Sequence, residues 1–360
     1  MAIKYKWLAR RLEEMIEKQL RRGDLKLPTE KEIGARYHVS RQTVRMALGL
    51  LEENGLISRR QGSGSYLTGR LPGPQGDQTA ILISNSQEYI YPGLLADIQN
   101  VLSSHGFSSQ VFSTRNQVSE ERNILLELAR HAPRGIIVEG CKSALPNPNL
   151  ELYRALMKQG CKVVFLHNYY PGLSDCLYVK DDNCAGSAAL VKHLCEMGHR
   201  AIGGIFKADD MQGQERYLGF LNAMWEFGLP LPERNICWYG EWDLRKLLEE
   251  KDGRFLADML SYSLAGCSAL ICYNDIIAYF LVEELTRAGY RLPQDMALAA
   301  FDNTYLSNSD LLSVTTLSHK PHEMGTKAAQ ALIDQIKGLP VLPQEIPWKL
   351  NLKESTSAGV

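Results

Sequence analysis

Val39-Ser40-Arg41-Gln42-Thr43-Val44-Arg45-Met46-Ala47-Leu48 is the stretch that decides the fold of the N-terminal end. Ser40 stands where a helix N-cap belongs, because its hydroxyl can accept from a backbone N–H of the first turn. Val44, Ala47, Leu48 and Leu51 recur at helical spacing and define one inward face. Asn54-Gly55 ends the helix, since glycine tolerates the left-handed conformation. Upstream, Thr29-Glu30-Lys31-Glu32 after Pro28 predicts a capping box opening a second helix that stops near Tyr37. Before it, Tyr5, Leu8, Leu12, Met15, Ile16 and Leu20 mark a first helix ending near Gly23. Downstream, Leu56–Arg60 and Ser65–Leu67 flank Gln61-Gly62-Ser63-Gly64, which predicts a hairpin. Three helices followed by a hairpin predict a winged helix-turn-helix over residues 1–68.

The chemistry of the third helix points to duplex DNA. Arg41, Gln42, Thr43 and Arg45 lie off the apolar face in its first turns, the part of a recognition helix that meets base edges in the major groove. Arginine matches guanine O6 and N7, and glutamine matches adenine N6 and N7. Lys31, Ser40, Thr43 and the helix N-termini suit phosphate. The hairpin carries Arg59, Arg60 and Gln61, and Gly62 and Gly64 let its tip approach closely. Residues 1–70 hold fifteen Lys and Arg against eight Asp and Glu, whereas the remainder holds 25 basic and 33 acidic residues. A basic end on an acidic body confines the polyanion-binding surface to that end.

The run from Leu27-Pro28-Thr29-Glu30 through Ser40–Leu48 and Leu51-Glu52-Glu53-Asn54-Gly55 to Arg60-Gln61-Gly62-Ser63-Gly64-Ser65-Tyr66 closely resembles the GntR (gluconate-repressor) family of winged-helix regulators. The resemblance implies DNA contacts at Lys31, Ser40, Arg41, Gln42, Thr43, Arg45, Gln61 and Gly62.

Residues 69–78 are rich in proline and glycine and read as a linker. From residue 79 to 360, apolar runs such as Ala80–Ile83, Gly135–Val138, Val163–Leu166, Ala201–Ile205, Ala269–Cys272 and Met296–Ala300 alternate with amphipathic helices. This pattern predicts an α/β fold of doubly wound parallel sheets covered on both faces. The length exceeds one such sheet, so two lobes are expected. We place 79–180 and 319–339 in the first, and 181–318 and 340–360 in the second.

Polar residues cluster at the carboxyl ends of the expected strands, where open α/β sheets bind ligands. They are Glu139 and Lys142, His167 and Asn168, Asp209, Gln212, Gln214 and Arg216, Asn274 and Asp275, and Asp302. Carboxylates, amides and a guanidinium can hydrogen-bond vicinal hydroxyls, and Tyr89, Tyr91 and Trp242 can stack on the apolar face of a sugar. Asp275 and Asp302 can equally serve as helix caps. Gly198–Gly204, Gln214–Phe220, Cys272-Tyr273-Asn274-Asp275, Ala300–Asn303 and Val314–Leu317 resemble the lactose-repressor family and its periplasmic type I sugar-binding fold. That resemblance implies effector contacts at Arg216, Trp242, Asn274, Asp302 and His319.

A GntR-type head on a lactose-repressor-type body implies a dimeric, sugar-controlled transcriptional repressor of operator DNA. Val138–Leu145 and Gly204–Gly213 look like the arabinose-responsive branch of such fusions, which implies L-arabinose as inducer. An activator, or a sensor of another sugar or a sugar phosphate, stays open, as does a transport-type sugar-binding protein. We find no acid–base pair at convincing spacing and none of the common hydrolase, zinc-protease or nucleotide-binding motifs, so an enzyme is not expected. No cofactor or metal is expected either. The eight cysteines form no C-x-x-C pair and read as buried reduced thiols. The chain holds no run of eighteen apolar residues, and Met1–Lys6 lacks the features of a signal peptide; the expected compartment is the cytoplasm.

Overall fold

The apolar stripe of the first segment closes a small helical core. The computed structural model describes residues 2–22, 25–53, 56–60, 64–68, 77–87, 89–173 and 176–357. In it α1 (Ala2–Arg22), α2 (Glu30–Tyr37) and α3 (Arg41–Glu53) pack through Leu8, Leu12, Ile16, Ile33, Val44, Leu48 and Leu51, all buried. The capping box forms: Thr29 N–H donates to Glu32 Oε2 at 2.7 Å, and Glu32 N–H to Thr29 Oγ1 at 3.3 Å. Ser40 caps α3 by accepting from Thr43 N–H at 3.2 Å. Strands β1 (Ile57–Arg60) and β2 (Gly64–Leu67) pair antiparallel, with Ile57 opposite Leu67 and Arg60 opposite Gly64. Gly23, Asn54-Gly55, the hairpin tip Gln61-Gly62-Ser63 and linker residues 69–76 lie outside the described residues.

The body holds two sheets, each with six described strands. The first is built by β3 (Gln78–Ile83), α4 (Tyr91–Ser104), β4 (Ser108–Ser113), α5 (Val118–Leu128), β5 (Gly135–Val138), α6 (Leu150–Lys158), β6 (Lys162–Leu166) and β7 (Leu177–Asp181). The chain then passes to the second sheet, built by α7 (Asn183–Glu196), β8 (Ile202–Lys207), α8 (Met211–Glu226), β9 (Ile236–Tyr239), α9 (Glu241–Arg245), α10 (Arg254–Met259), β10 (Ala269–Cys272), α11 (Asp275–Arg287), β11 (Ala297–Phe301) and β12 (Thr315–Ser318). Helix α12 (Glu323–Ile336) returns to pack on α4 in the first lobe. There β13 (Gln344–Ile346) adds parallel to β7, and β14 (Lys349–Asn351) then adds antiparallel to β12 in the second.

Both sheets are apolar on both faces. Ile81, Ile137 and Val164 face α4 and α12, while Leu82, Val138 and Phe165 face the opposite layer. This explains the unbroken apolar runs, because a strand covered on both faces has no polar side to alternate.

One boundary differs from the sequence reading. The third passage between lobes falls after Ile346, not near Leu339. Ile346 is fully buried in the first lobe's core, and Ile346 O accepts from Asp182 N–H at 3.0 Å. A three-residue strand reading Gln-Glu-Ile offers a single apolar residue, too little to signal a strand.

The sheet orders are β13-β7-β6-β5-β3-β4 and β14-β12-β11-β10-β8-β9. Each reverses direction once, beside β3 and beside β8. The carboxyl ends at these switch points face the space between the lobes, where the fold leaves a crevice. Gly213 makes one wall possible: a Cβ there would meet Lys207 O at 1.9 Å. Only glycine lets the first turn of α8 lie so close to the end of β8.

Candidate functional site

In the head, the first turns of α3 present charge to solvent. Arg41 and Arg45, one turn apart, both reach Glu30 at the start of α2, each Nε donating to Glu30 Oε2 at 3.1 Å. The Arg41 and Arg45 side chains are 75% and 59% exposed, so their guanidinium ends stay accessible. Slight burial opposes ionisation of Glu30, but the two arginines hold its carboxyl below the ordinary value. Lys31, Ser40 and Gln42 are exposed. Arg59 is drawn inward, donating to Arg45 O at 3.1 Å and pairing with Glu52 at 3.4 Å. Arg60 lies in β1; Gln61 and Gly62 are outside the described residues.

Between the lobes lies a cleft of about 1240 Å³. Tyr89, Tyr91, Glu139, His167, Gln212, Arg216, Asn274, Asp302 and His319 all line it. Five other expected residues, Lys142, Asp209, Gln214, Trp242 and Asp275, do not. Trp242 is 64% exposed on α9, with the Lys246 ammonium 5.4 Å from its ring centroid. Lys142 sits in the loop after β5, and its backbone N–H donates to Asn116 Oδ1 at 2.8 Å. Asp275 is fully buried at the start of α11. Its carboxylate accepts from Thr304 N–H at 2.6 Å, Thr304 Oγ1 at 3.1 Å and Thr316 Oγ1 at 2.9 Å. It braces the loop that carries Asp302. Asn274, not Asp275, caps α11, accepting from Ile277 N–H at 3.2 Å.

Arg216 anchors the second-lobe wall. It is buried, with Nε donating to Asn183 Oδ1 at 2.9 Å and Nη1 to Tyr273 O. Its guanidinium lies 4.1 Å from the Phe301 ring centroid and 4.7 Å from that of Tyr273. Nη2 stands 3.7 Å from Asp302 Oδ1. Burial acts against its charge, yet Asp302 raises its affinity for the proton. Burial likewise raises the Asp302 carboxyl, and Arg216 only partly reverses this.

The first-lobe wall faces it. Tyr89 donates to Asp302 Oδ2 at 2.5 Å across the cleft. Tyr91 donates to Glu139 Oε1 at 3.0 Å, and Glu139 Oε2 accepts from Ser84 N–H at 2.8 Å. Burial first, and the adjacent carboxylates second, push both phenols well above their usual range, so both remain donors. Further contacts bridge the lobes: Asn116 Nδ2 donates to Glu241 Oε2 at 2.7 Å, and Met211 N–H to Ser143 Oγ at 2.9 Å.

Tyr89, Asn116, His167 and Asp302 all line the cleft and all have positive φ, between 51° and 95°. Left-handed backbone at non-glycine residues is costly and concentrates where side chains must be held for function.

The sequence reading missed several groups. Lys207, ending β8, is buried with its ammonium 3.0 Å from Asp209, 2.8 Å from Asp210 and 3.0 Å from Glu241. Asp181, ending β7, lies between His167 and His319. The strand-end rule that selected Glu139 would have selected Lys207, but β7 is not among the strands expected from the sequence, so nothing marked Asp181. Trp348, stacked on His319 with centroids 3.8 Å apart, had no such signal, because it sits in the crossover that was placed elsewhere.

Residues 4–67 match the bacterial regulatory proteins of the gntR family, and residues 191–356 match the periplasmic binding protein-like domain. The arabinose metabolism transcriptional repressor of Halalkalibacterium halodurans is 32% identical over 344 residues, 94% of this chain and 90% of that protein. That of Geobacillus stearothermophilus is 33% identical, over 87% of this chain and 86% of that protein. The chain belongs to the family of arabinose metabolism transcriptional repressors. The fold agrees with a solved transcriptional regulator, CelR in complex with cellobiose, at a TM-score of 0.67 and 21% identity, covering 91% of this chain and all of that one. Both of these relatives are named as transcriptional repressors, not as enzymes. Among the described residues no helix is long and apolar enough to cross a membrane.

Proposed function

We propose that this repressor binds operator DNA as a homodimer through Arg41, Gln42, Thr43 and Arg45 of α3, with Lys31, Ser40 and the Arg60–Gly62 wing on the backbone, and that L-arabinose in the cleft releases it. One observation carries the effector half. His167 Nε2 and Gln212 Oε1 are buried in residues that line the cleft, and neither has a hydrogen-bond partner among the described residues. An unsatisfied buried polar atom costs about 1–3 kcal/mol, and a hydroxylated ligand recovers that cost. Glu139, Arg216 and Asp302 complete a set suited to hydroxyls, while Tyr89 and Tyr91 offer flat faces.

The balance of charge favours a neutral sugar over a sugar phosphate. The Lys207 ammonium is already engaged by three carboxylates, and Arg216 stands beside Asp302. A dianion would meet more carboxylate than cation. The names of the relatives supply the choice of arabinose among neutral sugars.

In this reading the sugar closes the lobes and changes the spacing of the two tethered heads. A symmetric dimer reads half-sites about one helical turn, or a multiple, apart, so a changed spacing fits only one of them. Thermal unfolding of the full chain against pentoses, hexoses and sugar phosphates tests the cleft, since only ligands that bind the folded state raise the midpoint. L-arabinose is expected to raise it most. A rise with sugar phosphates alone, or with none of the panel, rejects the assignment. Sedimentation that finds a monomer with and without DNA rejects the dimer.

A further inference from the structure

Two of the three chain passages between the lobes meet at one carboxylate, and the third packs on the histidine that it holds. Asp181 ends β7 and is the last first-lobe residue before the chain enters α7. It is buried, and its two oxygens serve different partners. Oδ2 lies 3.0 Å from His167 Nδ1, and Oδ1 lies 2.6 Å from His319 Nε2. His319 directly follows β12, at the start of the second passage. Its other nitrogen, Nδ1, lies 3.0 Å from Pro347 O, and its ring stacks on Trp348 at 3.8 Å. Pro347 and Trp348 form the third passage, between β13 and β14.

His167 stands apart from this hinge. It directly follows β6 and lines the cleft with φ 63°, its Nε2 buried and without a partner among the described residues. Its ring therefore has one nitrogen on the hinge carboxylate and one that no described group satisfies. His319 lines the cleft too, but both its nitrogens face acceptors within the protein.

We propose that Asp181 is the positioning residue that converts occupancy of the cleft into a fixed hinge geometry, through His167 on one oxygen and His319 on the other. The proposal rests on the reading that a sugar occupies the cleft. A ligand hydroxyl on His167 Nε2 fixes the imidazole. The fixed ring orients Asp181, and Asp181 sets where His319 and the Pro347-Trp348 passage lie relative to β7. Charge-assisted hydrogen bonds are short and directional, so rotation of one lobe strains both contacts together. Acting through a shared carboxylate, the link couples two states rather than adding affinity to either.

Asp181→Asn in the full-length chain tests this. The substitution keeps size and one acceptor oxygen but removes the charge and replaces the other oxygen with a donor. Three quantities are measured: L-arabinose affinity by calorimetry, and operator affinity by fluorescence anisotropy without and with the sugar. The operator is a duplex selected by the wild-type chain from a random pool. Sugar affinity is expected to stay within about threefold of wild type, and sugar-free operator affinity to be unchanged. The factor by which sugar weakens operator binding, roughly 5–150-fold for a typical allosteric couple, is expected to fall below about twofold.

A merely structural role would lower all three quantities together, and that result overturns the proposal. So does a variant whose coupling equals wild type. If Asp181→Asn does not fold, judged by its thermal transition, His319→Gln cuts the same link from the hinge side; because His319 also lines the cleft, this variant is read on the coupling factor at saturating sugar alone, which is expected to fall below about twofold, and a factor equal to wild type overturns the proposal. A wild-type chain that binds no L-arabinose refutes the reading of the cleft itself, and the proposal with it.

Discussion

Tyr89 of the first lobe donates its hydroxyl to the Asp302 carboxylate of the second at 2.5 Å, directly across the cleft. Both residues adopt left-handed backbone, and both lie in the wall where a ligand would sit. The contact belongs to the closed arrangement of the lobes, because it joins groups on opposite sides of the crevice. Tyr89→Phe keeps the ring and removes the donor, which leaves Arg216 as the described side chain paired with the Asp302 carboxylate. A hydrogen bond to a charged group contributes about 1.5–3 kcal/mol. Calorimetry is expected to show L-arabinose affinity weakened by roughly tenfold, with sugar-free operator binding unchanged. Undiminished affinity would mean that the contact plays no part in the liganded state.

Arg216→Ala removes the guanidinium that touches Asn183, Tyr273 and Asp302. The head contains none of these residues. Operator binding without sugar is expected to stay within about twofold of wild type, while sugar no longer releases the DNA. Anisotropy titrations with and without L-arabinose measure both. Normal release in this variant would count against the cleft as the effector site.

Asp275 makes stability depend on pH in an unusual direction. Burial first, and the neighbouring Asp302 second, raise its carboxyl to about 7. Between about pH 4 and 7 the unfolded chain has lost this proton while the folded chain keeps it. Stability therefore falls as pH rises through that window, by at most ~1.4 kcal/mol per pH unit, and levels off above it. Asp275→Asn lacks this term. Denaturant unfolding at pH 5 and pH 8 is expected to show the variant gaining at least ~1 kcal/mol on wild type at the higher pH. A constant difference would remove the proton from the account.

Arg41→Ala tests the head. With Glu30 holding its Nε, the exposed end of Arg41 is set to donate to a base edge. The substitution is expected to cost roughly 1–3 kcal/mol on the selected operator and to relax base preference at one position. An equal loss on selected and random duplexes would reassign Arg41 to the phosphate backbone.

The sequence revealed local signals more readily than long-range ones. The caps at Thr29 and Ser40 were legible because each rests on a residue and its neighbours three positions on. The doubly wound sheets were legible because two covered faces demand unbroken apolar strands. Asp275 could not be separated from Asp302 by sequence, since both follow a strand. Burial of one under Thr304 and Thr316 is a tertiary fact. The hinge was hidden for the same reason. Asp181, His319 and Trp348 are far apart in the chain, and the short strand that brings Trp348 to the hinge has one apolar residue. Trp242 misled in the opposite way: an aromatic near a strand end was a good candidate for stacking, but α9 turns it to solvent.

The central claim is that one sugar-binding event and one DNA-binding event oppose each other through the body. Linkage makes that opposition reciprocal. The direct measurement is a calorimetric titration of L-arabinose into the free protein and into its operator complex at the same salt. The account predicts that operator DNA weakens sugar binding by the factor by which saturating sugar weakens operator binding. Equal sugar affinity for the free and DNA-bound protein would contradict it.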